Sequence, residues 1–243
     1  MRPLSTTQLL TIWEQGLVQP LAQWALLLLA AAFPETPAGE LAEWSIGVRD
    51  GRILTLREWM FGPNLTCLAT CPACADKLEL TFQVADIRAL PPTEIAELTL
   101  AHDGYTVRFR LPNSVDVTAV TSERDPTENR RLLFQCCLLD ARRKGKTIAA
   151  DALPKTVVEA IITQMAAADP QADVQLALDC PACAHHWLAP FDIVAFFWAE
   201  INTWAYRVMH EVHLLAAAYG WSEADILALT PWRRRFYLEM VRP

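Results

Sequence analysis

Over the first sixty residues the apolar positions recur at helical spacing. They are Leu9, Leu10 and Trp13, then the run from Leu21 to Phe33, then Ile53, Leu54, Leu56 and Met60, with Pro34, Pro37 and Gly39 as punctuation. This predicts a helical region over residues 1–62. From Asn64 the period shortens to two. LTCLAT and KLELTFQV alternate around a CPAC tetrapeptide, as two strands enclosing a tight turn do. A second hairpin is expected from ELTL at 97–100 and YTVRFRL at 105–111, with Asp103 and Gly104 as its turn, so that the span 63–111 is β.

Residues 112–171 read as helical again. Asp125 and Pro126 supply a cap and a first residue, and Leu153 to Ala168 form a further helix. Between them Leu132, Leu133, Phe134, Leu138 and Leu139 are assigned to one helix, with Cys136 and Cys137 mid-helix as small buried hydrophobes. The span 172–190 is a strand, DVQLALD, a second CPAC and a returning strand, HHWLAP. The remainder, 191–243, is expected to be helical. Ser222 and Asp225 form a capping box ahead of Ile226 and Leu227, and Thr230 with Pro231 opens the last helix. The fold class is therefore α+β and mostly helical: a small β zinc-knuckle module with two CPAC turns, flanked and interrupted by helical segments.

The two CPAC turns carry the chemistry. Each sets two thiols close together on a tight turn, so that both sulfurs can reach one zinc ion at about 2.3 Å. One copy alone could equally be a redox pair. Two identical copies, each ending an alternating strand and each followed by another, fit the halves of a four-thiolate site better than two disulfides or free redox thiols. The expected ligands of a single structural zinc are Cys71, Cys74, Cys180 and Cys183. The second pair arrives far later than in a compact zinc ribbon, which makes the intervening segment an insertion. Loop-closure entropy grows only with the logarithm of length, so a long insertion is tolerated. Three cysteines remain. Cys67 on the entering strand could compete as a ligand, but its looser spacing to Cys71 favours a packed thiol, and Cys136 and Cys137 are read as helix residues. His185 and His186 could replace a thiolate, but strand alternation turns one of them to solvent.

Composition narrows the function classes. The chain is 53% hydrophobic with only 8 glycines, which fits a helix-rich globular protein. A formal charge of -7 argues against broad nucleic-acid binding, since phosphate neutralisation needs a basic face. Two basic runs partly offset it. Arg142, Arg143, Lys144 and Lys146 are read as the end of a helix, and Arg233, Arg234 and Arg235 as part of the C-terminal helix. The opening MRPLSTTQLLTIWEQG is too polar for a secretory signal, and the run from Leu21 to Phe33 is too short to span a bilayer. A soluble cytoplasmic chain with no membrane partner is expected.

Catalytic signatures are weak. His210-Glu211-Val212-His213 has its histidines one residue too close to stack as zinc ligands on a helix. The chain has no phosphate loop, nucleophile elbow or glycine fingerprint, and four thiolates leave no position open for water. No enzyme activity and no small-molecule substrate are expected. Nine tryptophans are many, and some should be partly exposed for a partner. Trp198, Trp204 and Tyr206 are read as an interior stripe.

Several blocks together resemble a known family: LTIWEQG with ALLLLAAAFP, then RDGRILTLREWMFGPNLTCLATCPACADKLEL, the CPAC at 180, and YGWSEADILALTPWRRRFYLEMV. They look like small proteins encoded with contractile injection systems and tailocin-like particles, described as baseplate proteins or relatives of T-even phage baseplate hub assembly chaperones. The resemblance implies a protein that helps assemble a baseplate or its hub, either transiently as a chaperone or retained in the particle. Its implied partners are baseplate, hub or spike proteins. It carries Cys71, Cys74, Cys180 and Cys183 over as zinc ligands, while Trp221, Trp232, Arg233, Arg234 and Arg235 match the terminal block without a role. Alanine stands after the last cysteine of each knuckle, where glycine is more usual. Two other readings compete: a thiol-disulfide oxidoreductase working through CPAC, and a zinc-ribbon nucleic-acid binder using the basic runs.

Overall fold

Four helices open the chain, and polar side chains cap the first and last of them. In the computed structural model, which describes residues 1–89, 97–120 and 125–241, they are α1 (Thr6–Gly16), α2 (Leu21–Ala32), α3 (Ala38–Glu43) and α4 (Ile46–Phe61). Residues 90–96, 121–124 and 242–243, parts of the spans assigned from the sequence, lie outside the described residues. The Ser5 hydroxyl accepts from the Gln8 N–H at 3.2 Å while the Gln8 side chain accepts from the Ser5 N–H at 3.0 Å, a reciprocal box that starts α1. Ser45 caps α4 by accepting from Val48 N–H. Gly16, the last residue of α1, leaves no room for a side chain: a Cβ there would lie 2.3 Å from Trp24 Cδ1.

The first CPAC hairpin follows as β1 (Asn64–Thr70) and β2 (Lys77–Gln83), antiparallel, and ends in one helical turn, α5 (Val84–Ile87). The predicted hairpin with the Asp103-Gly104 turn is β3 (Leu98–His102) and β4 (Tyr105–Phe109), and both turn residues have positive φ. Next come α6 (Ser114–Ala119) and α7 (Pro126–Cys137), the latter capped by Asp125 as the sequence indicates.

Here the structure corrects the helical reading of residues 112–171. Leu138 and Leu139 do not continue the helix: α7 stops at Cys137, and β5 (Leu138–Arg143) and β6 (Lys146–Thr147) extend the second hairpin into one sheet of order β3-β4-β5-β6. The basic run therefore ends no helix. Arg142 and Arg143 lie on β5, and Lys144 and Gly145, both with positive φ, form the turn to β6. Cys136, expected to be buried mid-helix, is exposed near the helix end, while Cys137 is fully buried. The cause is tertiary: β5 pairs with β4 from Tyr105 opposite Arg143 to Phe109 opposite Leu138, and that long-range ladder overrides local helix periodicity.

The chain continues through α8 (Lys155–Ala168) and the second CPAC hairpin, β7 (Val174–Asp179) and β8 (His186–Phe191). It closes with the long α9 (Ile193–Tyr219), α10 (Glu223–Ala228) and α11 (Pro231–Val241). No described helix is long and apolar enough to cross a membrane.

Three apolar clusters result. The largest joins α1, α2, α4 and α9 around Trp24, Leu28, Leu29, Phe197 and Ile201, all without solvent exposure. A second lies between the four-stranded sheet and α8, on Val107, Phe109, Val157 and Ile161. The smallest holds Cys71, Leu78 and Cys180, with Leu80 and Trp187 packed against it. The inserted sheet and α8 meet the helices along α4. There Gly47 N–H donates to the buried Asp169 carboxylate at 2.9 Å, and a Cβ on residue 47 would fall 1.9 Å from that carboxylate. Nearby, Arg57 makes a two-pronged ion pair to Glu200 of α9 at 2.6 and 2.8 Å.

Candidate metal centre

Both knuckles have the same backbone wiring. In the first, Cys71 N–H donates to Asp76 C=O and Ala75 N–H to Cys71 C=O, each at 2.9 Å. In the second, Cys180 N–H donates to His185 C=O and Ala184 N–H to Cys180 C=O, again at 2.9 Å. The chain must turn left-handed just after the second cysteine to do this, and Ala75 and Ala184 have φ of 62° and 57°. Alanine thus adopts the conformation for which glycine is favoured, which explains how the knuckle forms despite the departure from the usual residue.

The likeness extends past the turns. Leu78 and Trp187 occupy matching positions, as do Phe82 and Phe191, whose rings meet edge to face at 5.5 Å. Each hairpin then delivers a helix N-cap, Gln83 for α5 and Asp192 for α9. Two copies of one unit so pack against each other and bring their turns together.

The four sulfurs of Cys71, Cys74, Cys180 and Cys183 all lie within 4.8 Å of one another, and such a set could hold a metal ion. The short separations run between the hairpins, 3.7 Å from Cys71 to Cys183 and 3.6 Å from Cys74 to Cys180. A disulfide needs about 2.05 Å, so these are not covalent pairs. Cys71 and Cys180 are buried, while Cys74 and Cys183 sit on the solvent side of the cluster.

Electrostatics favour a cation here. Desolvation raises the Cys71 thiol, but the Cys74 and Ala73 N–H groups and the neighbouring thiols outweigh it and bring it down to about 7. Cys74 moves the other way: against an N–H from Asp76, its contacts with Cys183 and Cys180 hold it up to about 12. Thiols this close cannot all ionise next to one another unless a positive charge lies between them.

The other candidates fall outside the cluster. Cys67 is half-buried on β1, where burial raises its thiol. His185 stacks on Trp187 and the exposed His186 pairs with Asp179. Glu211 of the His210–His213 segment accepts from the buried Arg234 at 3.2 Å, so its role is to anchor α11. Of the expected interior stripe, Trp198 and Trp204 are half-buried against the helical core, but Tyr206 is 61% exposed. Sequence reasoning did not single out Asp50. Burial pushes its carboxyl up to about 6 against the pull of Arg49, with which it forms a buried pair at 2.7 Å beside α6.

Comparison with known proteins adds one match. A family model described as T4 bacteriophage base plate protein aligns with residues 9–198, a span that runs from within α1 into the start of α9 and contains both CPAC hairpins. No curated protein and no solved structure matches.

Proposed function

Because the chain belongs to the family of T4 bacteriophage base plate proteins, we propose that it acts as an assembly chaperone or structural subunit of the baseplate or hub of a contractile, phage-tail-like particle, through protein contacts and braced by one zinc ion. The family match over most of the chain is the observation that carries this reading. A baseplate protein works by binding other baseplate proteins, and the surface suits that work. Trp232, Phe236 and Met240 recur one turn apart on α11 and are 73%, 49% and 57% exposed, an apolar ridge of the kind partner helices use. The chain would be made in the cytoplasm and join, or be released from, the particle there.

Zinc is favoured by donor type and spacing. A tetrahedron with arms of about 2.3 Å has edges of about 3.8 Å, close to the two inter-hairpin separations, and four soft thiolates are the donor set zinc takes in structural sites. Cys71, Cys74, Cys180 and Cys183 would hold it, with the N–H groups of Cys74, Ala73, Asp76 and His185 bonding their sulfurs. The ion then bridges two hairpins separated by the whole inserted lobe. A set of four thiolates is closed to water, which favours a structural over a catalytic role. Thiol-disulfide exchange would need only the two sulfurs of one CPAC, whereas each hairpin here also brings its sulfurs to within 3.6 and 3.7 Å of those of the other. Nucleic-acid binding has little support: Arg142 pairs with Asp140, Arg143 lies over Tyr105 and Arg234 is buried.

Co-expression with the hub and spike proteins of the same particle, followed by affinity purification and elemental analysis, tests both halves. The expected result is a stable complex and one zinc per chain. Absence of any complex with these proteins overturns the baseplate role, and substoichiometric metal together with disulfide reductase activity overturns the zinc clamp.

A further inference from the structure

The two CPAC hairpins are separate two-stranded sheets, so each keeps free edges. Which backbone groups point outward follows from the ladder. In the first hairpin Cys71 N–H donates to Asp76 C=O and Val84 N–H to Pro63 C=O, so Leu78, Leu80 and Phe82 bond to β1 while Glu79 and Thr81 direct their N–H and C=O outward. In the second, Cys180 N–H donates to His185 C=O; by the same alternation Leu176 and Leu178 bond to β8, and Gln175 and Ala177 face away. This parity puts Pro190 at an outward position on β8. A proline there removes a donor from the outer edge, which is one way natural sheets prevent unwanted pairing.

The edge of β7 has no such block, and it borders a groove of about 780 Å³. One wall is Glu79 to Phe82 of β2 and the other is Asp173 to Leu178, consecutive residues in both cases, with Asp86 to Ala89 completing the lining. A wall built from consecutive residues is a strand presenting its backbone, since a sheet face would contribute alternate ones. Among the described residues, the outward main-chain groups of Glu79, Thr81, Gln175 and Ala177 bond to nothing outside their own hairpins. The lining is also net acidic. Against Glu79, Asp86 and Asp173 it has one cation, Arg88, which is already held by Glu58 at 2.5 Å; Asp86 accepts from Gln83 N–H and Asp173 from the Gln175 side chain, while Glu79 is exposed.

We propose that this groove receives an extended, basic segment of another protein as an added strand on the free edge of β7. Its backbone would pair with Gln175 and Ala177, alternate apolar side chains would rest on the half-buried Leu176 and Leu178, and its lysines or arginines would meet Glu79 and Asp173. That the donor is another particle protein rests on the baseplate reading; the groove and its chemistry do not.

The test uses the full zinc-loaded chain and a fluorescently labelled eight-residue peptide of alternating valine and lysine. Saturable binding is expected. It should weaken tenfold or more in Ala177→Pro, which removes the outward donor as Pro190 does on β8 and keeps the β7–β8 ladder, with zinc content and thermal midpoint checked. Asp173→Lys, at an exposed position, should weaken it severalfold without affecting folding. A peptide N-methylated at alternate residues, or one with glutamate for lysine, should lose binding. Undiminished binding to Ala177→Pro, undiminished binding of the N-methylated peptide, or no saturable binding at all would overturn the proposal. If hub and spike proteins co-purify with the chain while the unaltered chain shows no saturable peptide binding, the baseplate role survives and the groove assignment alone falls.

Discussion

Trp24, Leu28 and Phe197 have no solvent exposure at the centre of the helical core, whereas where the CPAC hairpins meet only Cys71, Leu78 and Cys180 are buried. The first region has the apolar area to hold itself together: each fully buried side chain of that size contributes roughly 1.5–3 kcal/mol. The second has one buried leucine and two thiols, and isolated two-stranded hairpins are marginal in water. The same chain thus contains a self-sufficient core and a small one, built around four thiols, that an ion of the kind proposed above would close. The difference explains why a knuckle can sit at the ends of so long an insertion. It requires little packing of its own, and a bound ion would constrain both hairpins through four bonds.

The sharpest way to break this comparison is to abolish the proposed ion site. A structural zinc in small domains is worth roughly 10–16 kcal/mol apparent, the largest single contribution in the molecule if the site is occupied. Cys71→Ser or Cys180→Ser should therefore abolish metal binding and expose both hairpins, 64–83 and 174–191, together, although each substitution touches only one of them. Amide exchange read by mass spectrometry checks this, with α9 expected to keep its protection. Protection retained in the hairpin that was not mutated would show that the two are held by something other than a shared ion.

The reciprocal experiment attacks the helical core. Phe197 is packed edge to face against Trp24 at 6.1 Å and Phe61 at 5.7 Å. Phe197→Ala should cost about 3–5 kcal/mol in denaturant unfolding. Zinc stoichiometry of the folded fraction should stay unchanged, because no ligand lies on α9 or packs on this ring. Loss of metal in the folded protein would mean that the two regions are coupled, and the division between them would fail.

Much of the four-thiol cluster was legible in the sequence because its signals are local and repeated. Period-two alternation on both sides of each CPAC defines β1, β2, β7 and β8, and the tetrapeptides supply the four thiols that the structure brings together. The fate of Leu138 and Leu139 was not legible. FQCCLLDARR contains no glycine or proline to end a helix, and the switch to β5 depends on β4, about thirty residues earlier in the chain. Tyr206 was misjudged for a related reason: at helical spacing an aromatic looks interior, but on the observed α9 it contacts Trp13 at the surface end of the interface. The groove beside β7 needed hydrogen-bond parity as well as composition. Pro190 was its only sequence signal, and that marks the opposite edge.

The smallest predicted effect examines the knuckles themselves. Ala75 and Ala184 hold φ near +60°, where an L side chain costs roughly 1–2 kcal/mol that glycine does not incur, while glycine gives up part of this through its freer unfolded chain. Ala75→Gly and Ala184→Gly should each stabilise the metal-bound protein by about 0.5–1 kcal/mol and leave one zinc per chain. Because the two turns share the same hydrogen bonds, the gains should be equal within error and additive in the double variant, measured as denaturant midpoints at fixed zinc. In Phe197→Ala the same gains should persist, since the turns and the ring have no common neighbour. Unequal gains would show that the hairpins are not equivalent despite their matching backbones, and that the long α9 following the second one stiffens its turn more than the single turn of α5 stiffens the first.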